Sequence, residues 1–252
     1  MIRHLDVLDE EGDVTVWQAS LDLPPLSLQR CLEVLSAQER KRMDKFHRPE
    51  HRRRYGASQG QLRWLLANYL DHSPHSLQFG RQQWGKPYVK SASLHFNISH
   101  SRDCLLIAVS RTSTLGVDVE VIHPLSSMEA MARRCFAAQE LAYWSGIAQE
   151  DRTGVFFRLW TLKEALMKAT GRGLGLGTKR CVFALDPPRL LSLPEEYGKV
   201  RDWQIVELLI EGDFKASLCV LGKGARVVQK TLPPDWLTGI DQKRDPGIVK
   251  ND

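Results

Sequence analysis

The sequence predicts a mixed α and β fold of the α+β kind, and three observations carry that prediction. Residues 117–121 alternate Val117, Val119 and Val121 with Asp118 and Glu120, the period-two signature of a half-buried strand. Residues 152–170 instead show helical spacing, with Leu159, Leu162 and Leu166 on one side and Glu164 and Lys168, four apart, on nearly the opposite side. Finally, the elements run strand, helices, strands on both sides of a short polar linker, with no detectable sequence repeat.

Taken in order, residues 14–19 alternate like a strand, and Ser36-Ala37-Gln38-Glu39 carries the capping-box pattern that starts a helix. A break at Arg48-Pro49 leads into a long helix to about Leu70, with Tyr55, Leu62, Leu65, Leu66 and Tyr69 as its apolar side. Short strands are predicted near 77–79, 94–98 and 104–109, and Thr112-Ser113-Thr114 is the best linker. After it come a strand over 116–122 and helices near 125–135, 138–145 and 152–170, the last stopped by Gly171. Strands over 181–185, 204–209 and 215–221 complete the pattern. The expected division is an N-terminal half, 1–112, a C-terminal half, 115–232, and a polar tail, 233–252, whose run from Asp241 to Asp252 reads as flexible.

Composition narrows the class. A chain of 252 residues with 42% hydrophobic content has ample material for a core, as one domain or two small ones. No apolar run approaches the roughly 18 residues of a membrane span. The start Met1-Ile2-Arg3-His4-Leu5-Asp6 has acids where a signal peptide needs an apolar stretch, so a cytoplasmic location is expected. Cys31, Cys104, Cys135, Cys181 and Cys219 are scattered, with no CxxC pair, and read as reduced, buried small hydrophobes. The net charge of +5 is unevenly spread: Arg40, Lys41, Arg42, Lys45, Arg48, Arg52, Arg53 and Arg54 face only Asp44 and Glu50. Such a cluster suits a polyanion, either nucleic acid or a phosphorylated small molecule, or forms a solvated helix face.

The two acids of 116–120 project from one strand face, roughly 7 Å apart at two residues of rise. Carboxylates held that close repel unless a cation sits between them. Together with Glu164 and Lys168 they could build a hard-cation site beside a proton donor. Each piece alone fits a solvated edge strand or a surface ion pair.

The wider motif set decides between these readings. Gly85-Lys86-Pro87, then Phe96-Asn97-Ile98-Ser99-His100-Ser101, then Gly116-Val117-Asp118-Val119-Glu120 and Trp160-Thr161-Leu162-Lys163-Glu164-Ala165-Leu166-Met167-Lys168 stand in order. In order and spacing they resemble the signature blocks of the 4′-phosphopantetheinyl transferases, in the larger, Sfp-type branch. Gly171-Arg172-Gly173-Leu174-Gly175 falls where that family has a glycine-rich turn. The resemblance covers about residues 36–185 and, more loosely, 14–220.

The resemblance implies two similar α/β halves related by a pseudo-twofold, with the active site in the cleft between them. It implies transfer of the 4′-phosphopantetheine arm of coenzyme A to a serine of an acyl or peptidyl carrier protein, releasing adenosine 3′,5′-bisphosphate. Mg²⁺, with Mn²⁺ as an alternative, is the implied metal. Asp118 and Glu164 are its firmer ligands, and Glu120 acts directly or through a water. Glu164 also serves as the base for the serine proton, Lys168 protonates or neutralises the leaving phosphate, and His100 contacts phosphate. Coenzyme A contacts are further carried to Ser99, Lys86 and Lys163, and Pro87 to the adenine side. Arg54, with Arg42 as a second candidate, is expected at the 3′-phosphate. The chain departs from the family at Glu39, where several members carry lysine.

Two rival readings are a nucleic-acid-binding module built on residues 40–54 and a metal-dependent phosphohydrolase; a third is a degenerate relative that binds carriers without turnover. The intact acids speak against the last, and the first leaves Asp118, Glu120 and Glu164 without a role. Leu125, Met128 and Met131, at helical spacing after the acidic strand, are expected either in the core or as an adaptable ridge for the carrier. Neither nucleic acid nor membrane is an expected partner. Two fused halves imply a monomer that completes its own site.

Overall fold

A computed structural model describes residues 13–90, 92–173 and 177–238. The first half is built on a central strand, β5 (Cys104–Ser110), buried at every position. It pairs antiparallel with β1 (Val14–Ser20) on one side and β4 (His95–Ser101) on the other. Trp17, Phe96, Leu105, Ile107 and Val109 face a core shared with α3 (Pro49–Leu70). The helix α3 opens with Pro49 at its first position, where the missing N–H costs nothing. The helices α1 (Pro25–Glu33) and α2 (Ala37–Met43) pack on it. In α3, Gly56 and Gly60 leave no room for a Cβ against Leu32 and Cys31, so these glycines set the close approach of α1. The sequence reading missed α1, although Pro24-Pro25 is a recognisable start signal.

The second half repeats this plan, as a pseudo-twofold requires. The strands β6 (Leu115–Val121), β10 (Phe214–Leu221) and β9 (Trp203–Leu208) form an antiparallel sheet. Across it lies α6 (Arg152–Thr170), closed by Gly171 in the left-handed region at φ 72°. A Cβ on Gly116 would overlap Ala165 O and Ala169 N, so only glycine permits this contact of β6 with α6. Leu159, Leu162 and Leu166 are fully buried in the core beneath. Around it sit α4 (Met128–Cys135), α5 (Ala138–Gly146) and the hairpin β7 (Val182–Leu185) and β8 (Pro188–Ser192). Replacing one such leucine by alanine typically costs about 2–5 kcal/mol.

The two sheets meet along β4 and β6, and side chains close the seam. Asn97 Oδ1, Ser99 Oγ and Ser101 Oγ accept from the backbone N–H groups of Val117, Val119 and Val121 at 2.9, 3.4 and 3.1 Å. The opposite faces of the sheets share a third core, with Val14, Val16, Leu106 and Ala108 against Val117, Val119, Leu218 and Val220.

Several expectations are corrected. The helix α4 begins at Met128, so Leu125 lies on the turn before it. The hairpin β2 (Phe79–Arg81) and β3 (Pro87–Val89), together with β8, was not anticipated as paired strands. The boundary at 232 fails: β11 (Val227–Thr231) returns to the first half and pairs parallel with β1. Leu232, Trp236 and Leu237 then fill the first core, Trp236 donating to Gln61 Oε1 at 3.0 Å. Residues 233–238 are therefore structural, and the rest of the expected tail lies outside the described residues. All five cysteines are free and buried, as expected. Among the described residues no helix is long and apolar enough to cross a membrane.

Candidate active site

A cleft of ≈ 1850 Å³ opens where α2, α3 and the β2–β3 hairpin face α6 across the β4–β6 seam. That exceeds the roughly 300–1,000 Å³ of a site for one drug-sized ligand and suits a long one. Its floor is Ile98, Ser99, His100, Asp118 and Glu120; Trp160, Glu164 and Lys168 of α6 form one wall. The other wall is cationic, with Lys41, Arg42, Lys45, Arg81 and Lys90.

The acidic end is built from the strand and helix periodicities already described. Asp118 is buried, Glu120 half-buried, and both lie on the face of β6 that α6 covers. Lys168 Nζ donates to Asp118 Oδ1 at 2.7 Å, to Ser99 Oγ at 2.8 Å and to Val117 O at 3.2 Å. Ser99 Oγ in turn donates to Asp118 Oδ1 at 2.8 Å, and Ser101 Oγ to Glu120 Oε2 at 2.9 Å. Burial raises the Asp118 carboxyl, against the pull of Lys168, and burial then Asp118 raise Glu120. Glu164 is pushed up to about 7, first by burial and then by the Asp118 charge. Partial burial, then Lys168 and Arg54, lower His100 and favour its neutral form.

Asp118 Oδ2 is buried with no hydrogen-bond partner among the described residues. Burial raises all three carboxyls, Asp118 adds to the rise of Glu120 and Glu164, and an all-oxygen donor set of this kind fits Mg²⁺. Among the described residues no three His, Cys, Asp or Glu groups form a ready-made metal cage. Among the described residues, Lys168 is the cation paired with Asp118.

Other predicted residues are redistributed. Lys163 is wholly buried and points away from the cleft, its Nζ held by Glu140 Oε2 at 2.7 Å, Thr178 O at 2.8 Å and Cys181 O at 2.6 Å. It is a core ion pair, and its assignment to coenzyme A is withdrawn: neighbours in sequence on a helix point about 100° apart, so Glu164 faces the cleft while Lys163 does not. Lys86 also turns from the cleft, donating to Leu115 O and Ala169 O, whereas Pro87 lines it. Arg54 lies outside the cleft and pairs with Asp103 at 2.9 Å. Arg42 lies within it, its guanidinium 5.7 Å from the Tyr55 ring centre.

Of the eight cations in 40–54, Lys41, Arg42 and Lys45 line the cleft. Arg40, Arg48, Arg52, Arg53 and Arg54 engage neighbouring carbonyls or carboxylates, so no continuous basic face forms. Glu39 takes a structural role: its Oε2 caps Ser36 and accepts from the buried Arg63 Nε at 2.8 Å, fixing α2 on α3. Arg81 and Lys90, on the hairpin around the Gly85-Lys86-Pro87 block, were missed; their flanking position was the available signal. Leu125, Met128 and Met131 are half-buried, pack on the second core and keep part of their surface open to solvent.

The sequence of HetI, a 4′-phosphopantetheinyl transferase of Nostoc sp., is 34% identical over 228 residues, covering 88% of this chain and 92% of the relative. The chain belongs to the 4′-phosphopantetheinyl transferase superfamily. A 4′-phosphopantetheinyl transferase of Bacillus subtilis is 30% identical over 219 residues, 85% of this chain and 89% of the relative. The Sfp transferase of Bacillus subtilis is 27% identical over 149 residues, 59% of this chain and 65% of the relative, in keeping with the Sfp-type branch. The superfamily model matches residues 114–219, and the model described as the 4′-phosphopantetheinyl transferase N-terminal region matches 17–112. This chain is thus a phosphopantetheinyl transferase in class, and the acidic strand, α6 and the cationic wall lie within the matched residues.

Proposed function

We propose that the cleft moves the 4′-phosphopantetheine arm of coenzyme A to a serine of an apo acyl or peptidyl carrier protein, releasing adenosine 3′,5′-bisphosphate. One observation carries the reading: a single cleft joins a cationic wall to an acidic end where Asp118 of the floor meets Glu164 and Lys168 of α6. Arg42, with Lys41 and Lys45, holds the 3′-phosphate end of the nucleotide, with Pro87 beside the base. The diphosphate then lies by His100 and α6, and the arm continues from it. His100, whose neutral form is favoured by burial and by Lys168, donates to phosphate.

In the transfer, the carrier serine oxygen forms a bond to the β-phosphorus while the bond to the bridging oxygen breaks. Glu164, poised near neutrality, takes the serine proton. Lys168 neutralises the bisphosphate as it departs or protonates it, and Ser99 holds Asp118 and Lys168 in place. Asp118 and Glu164, with Glu120 directly or through water, would hold Mg²⁺ or Mn²⁺. That cation, when bound, supplies charge to the phosphoryl oxygens. Both halves of one chain line the cleft, so a monomer suffices. The carrier is expected at the α6 rim, beside Trp160 and Glu164.

The test is incubation with coenzyme A, Mg²⁺ and an apo-carrier, read by mass spectrometry. The reading requires the carrier to gain the mass of the phosphopantetheine arm. Release of free phosphopantetheine with an unmodified carrier would mean hydrolysis instead.

A further inference from the structure

The β2–β3 hairpin faces two ways. Pro87, Tyr88 and Lys90 line the cationic end of the cleft, while Lys86 Nζ reaches away to Leu115 O at 2.8 Å and Ala169 O at 2.9 Å. Ala169 sits in the last turn of α6, where carbonyls have no partner further along the helix. Its neighbours are satisfied locally: Met167 O accepts from Thr170 Oγ1 and Lys168 O from the Gly171 N–H. Ala169 O takes its donor from the other half of the molecule. A cation there also meets the negative end of the helix dipole.

The two carbonyls belong to the backbones that carry the reacting side chains. Leu115 opens β6 three residues before Asp118, and Ala169 follows Lys168. Between them Gly116 lets β6 touch the backbone of Ala165 and Ala169. A Cβ on Gly171 would meet Gln82 Oε1 at 2.9 Å and Lys86 Cδ at 3.4 Å, so the hairpin lies flush under the helix end. Burial lowers Lys86 to about 8, which shows how far its charge is withdrawn from water.

We propose that Lys86 is a positioning residue: by tying the start of β6 to the last turn of α6, it sets the register in which Lys168 and Glu164 face Asp118. The inference rests on the transfer reading above for its kinetic consequence, but the tether itself has a readout that needs no activity. A helix end released by even 1 Å is expected to cost about a hundredfold in kcat.

The experiment compares Lys86→Met, which keeps the length and loses the donors, with Lys86→Arg, which can still reach both carbonyls. Amide exchange is followed in the unliganded protein and kcat and KM for coenzyme A in the transfer assay. The tether predicts faster exchange confined to the last turn of α6 and a lowered kcat with near wild-type KM in Lys86→Met, and recovery of both in Lys86→Arg. Unchanged exchange in Lys86→Met, a loss confined to KM, or an arginine variant no better than methionine would each overturn it. If Lys86→Met does not fold, Lys86→Arg decides alone: it must fold with near wild-type exchange and kcat. A wild-type protein without transfer activity would sink the functional reading, while the exchange comparison would still decide the tether.

Discussion

Ser99 Oγ donates to Asp118 Oδ1 at 2.8 Å while accepting from Lys168 Nζ at 2.8 Å and the Val119 N–H at 3.4 Å. One hydroxyl from the first half therefore orients an acid and a base of the second, and also fills a rung of the seam between the sheets. The sequence placed Ser99 among the coenzyme A contacts; the geometry makes it a support for Asp118. Removing it leaves a buried N–H and a carboxylate oxygen short of a partner.

Ser99→Ala should therefore lose about 1–3 kcal/mol of stability, read from the urea midpoint, because unmet buried polar groups carry their full desolvation cost. The same variant should lower kcat more than it raises KM for coenzyme A. A wild-type midpoint and kcat would show that the hydroxyl is dispensable.

The pH dependence follows from Glu164. Burial, and then the Asp118 charge, push Glu164 up to about 7 from the ordinary glutamate value of 4.5, so the folded state binds more protons between those values. Stability of the metal-free protein is then fully present below the lower value and falls as pH rises towards about 7. Glu164→Gln should flatten that slope in melting curves taken across the window, and turnover of the wild type should rise as Glu164 deprotonates. A slope unchanged by the substitution would place the titration on another group.

Much of this site was legible because the chemistry sits on regular elements. A period of two puts Asp118 and Glu120 on one face of β6, and a spacing of four puts Glu164 and Lys168 on one face of α6. The basic run was legible as charge but not as geometry, since Lys41, Arg42 and Lys45 lie on or just after α2 while Arg52, Arg53 and Arg54 sit on α3. The strand β11 was invisible because its pairing with β1 joins residues at opposite ends of the chain, and no local pattern records it. Lys86 looked like a phosphate ligand because its motif flanks one, and only the fold shows which way the side chain turns.

The choice between Arg42 and Arg54 at the 3′-phosphate has its own test. Arg42→Ala should weaken coenzyme A more than its 3′-dephospho analogue, by the roughly 1.5–3 kcal/mol of one charge-assisted contact. Arg54→Ala, bound to Asp103, should change the two alike. The reverse pattern would return the 3′-phosphate to Arg54.

The buried Lys163–Glu140 pair separates structure from binding. Lys163→Met strands Glu140 in the core, where it still accepts from the Ala137 and Phe183 N–H groups. A loss of about 3–5 kcal/mol in unfolding free energy is expected, since breaking a buried pair leaves an uncompensated charge. KM for coenzyme A in the folded fraction should not move. A raised KM with unchanged stability would restore Lys163 to the ligand.

The central claim, that the acids of β6 and α6 form the reacting centre, is tested most directly by carrier labelling with Asp118→Ala across a Mg²⁺ series. Metal affinity is read separately by calorimetry. The account predicts weakened metal binding and transfer that is nearly lost at low Mg²⁺ and partly recovered at raised Mg²⁺ or Mn²⁺. Full transfer by Asp118→Ala at every Mg²⁺ concentration, with metal affinity unchanged, would contradict it.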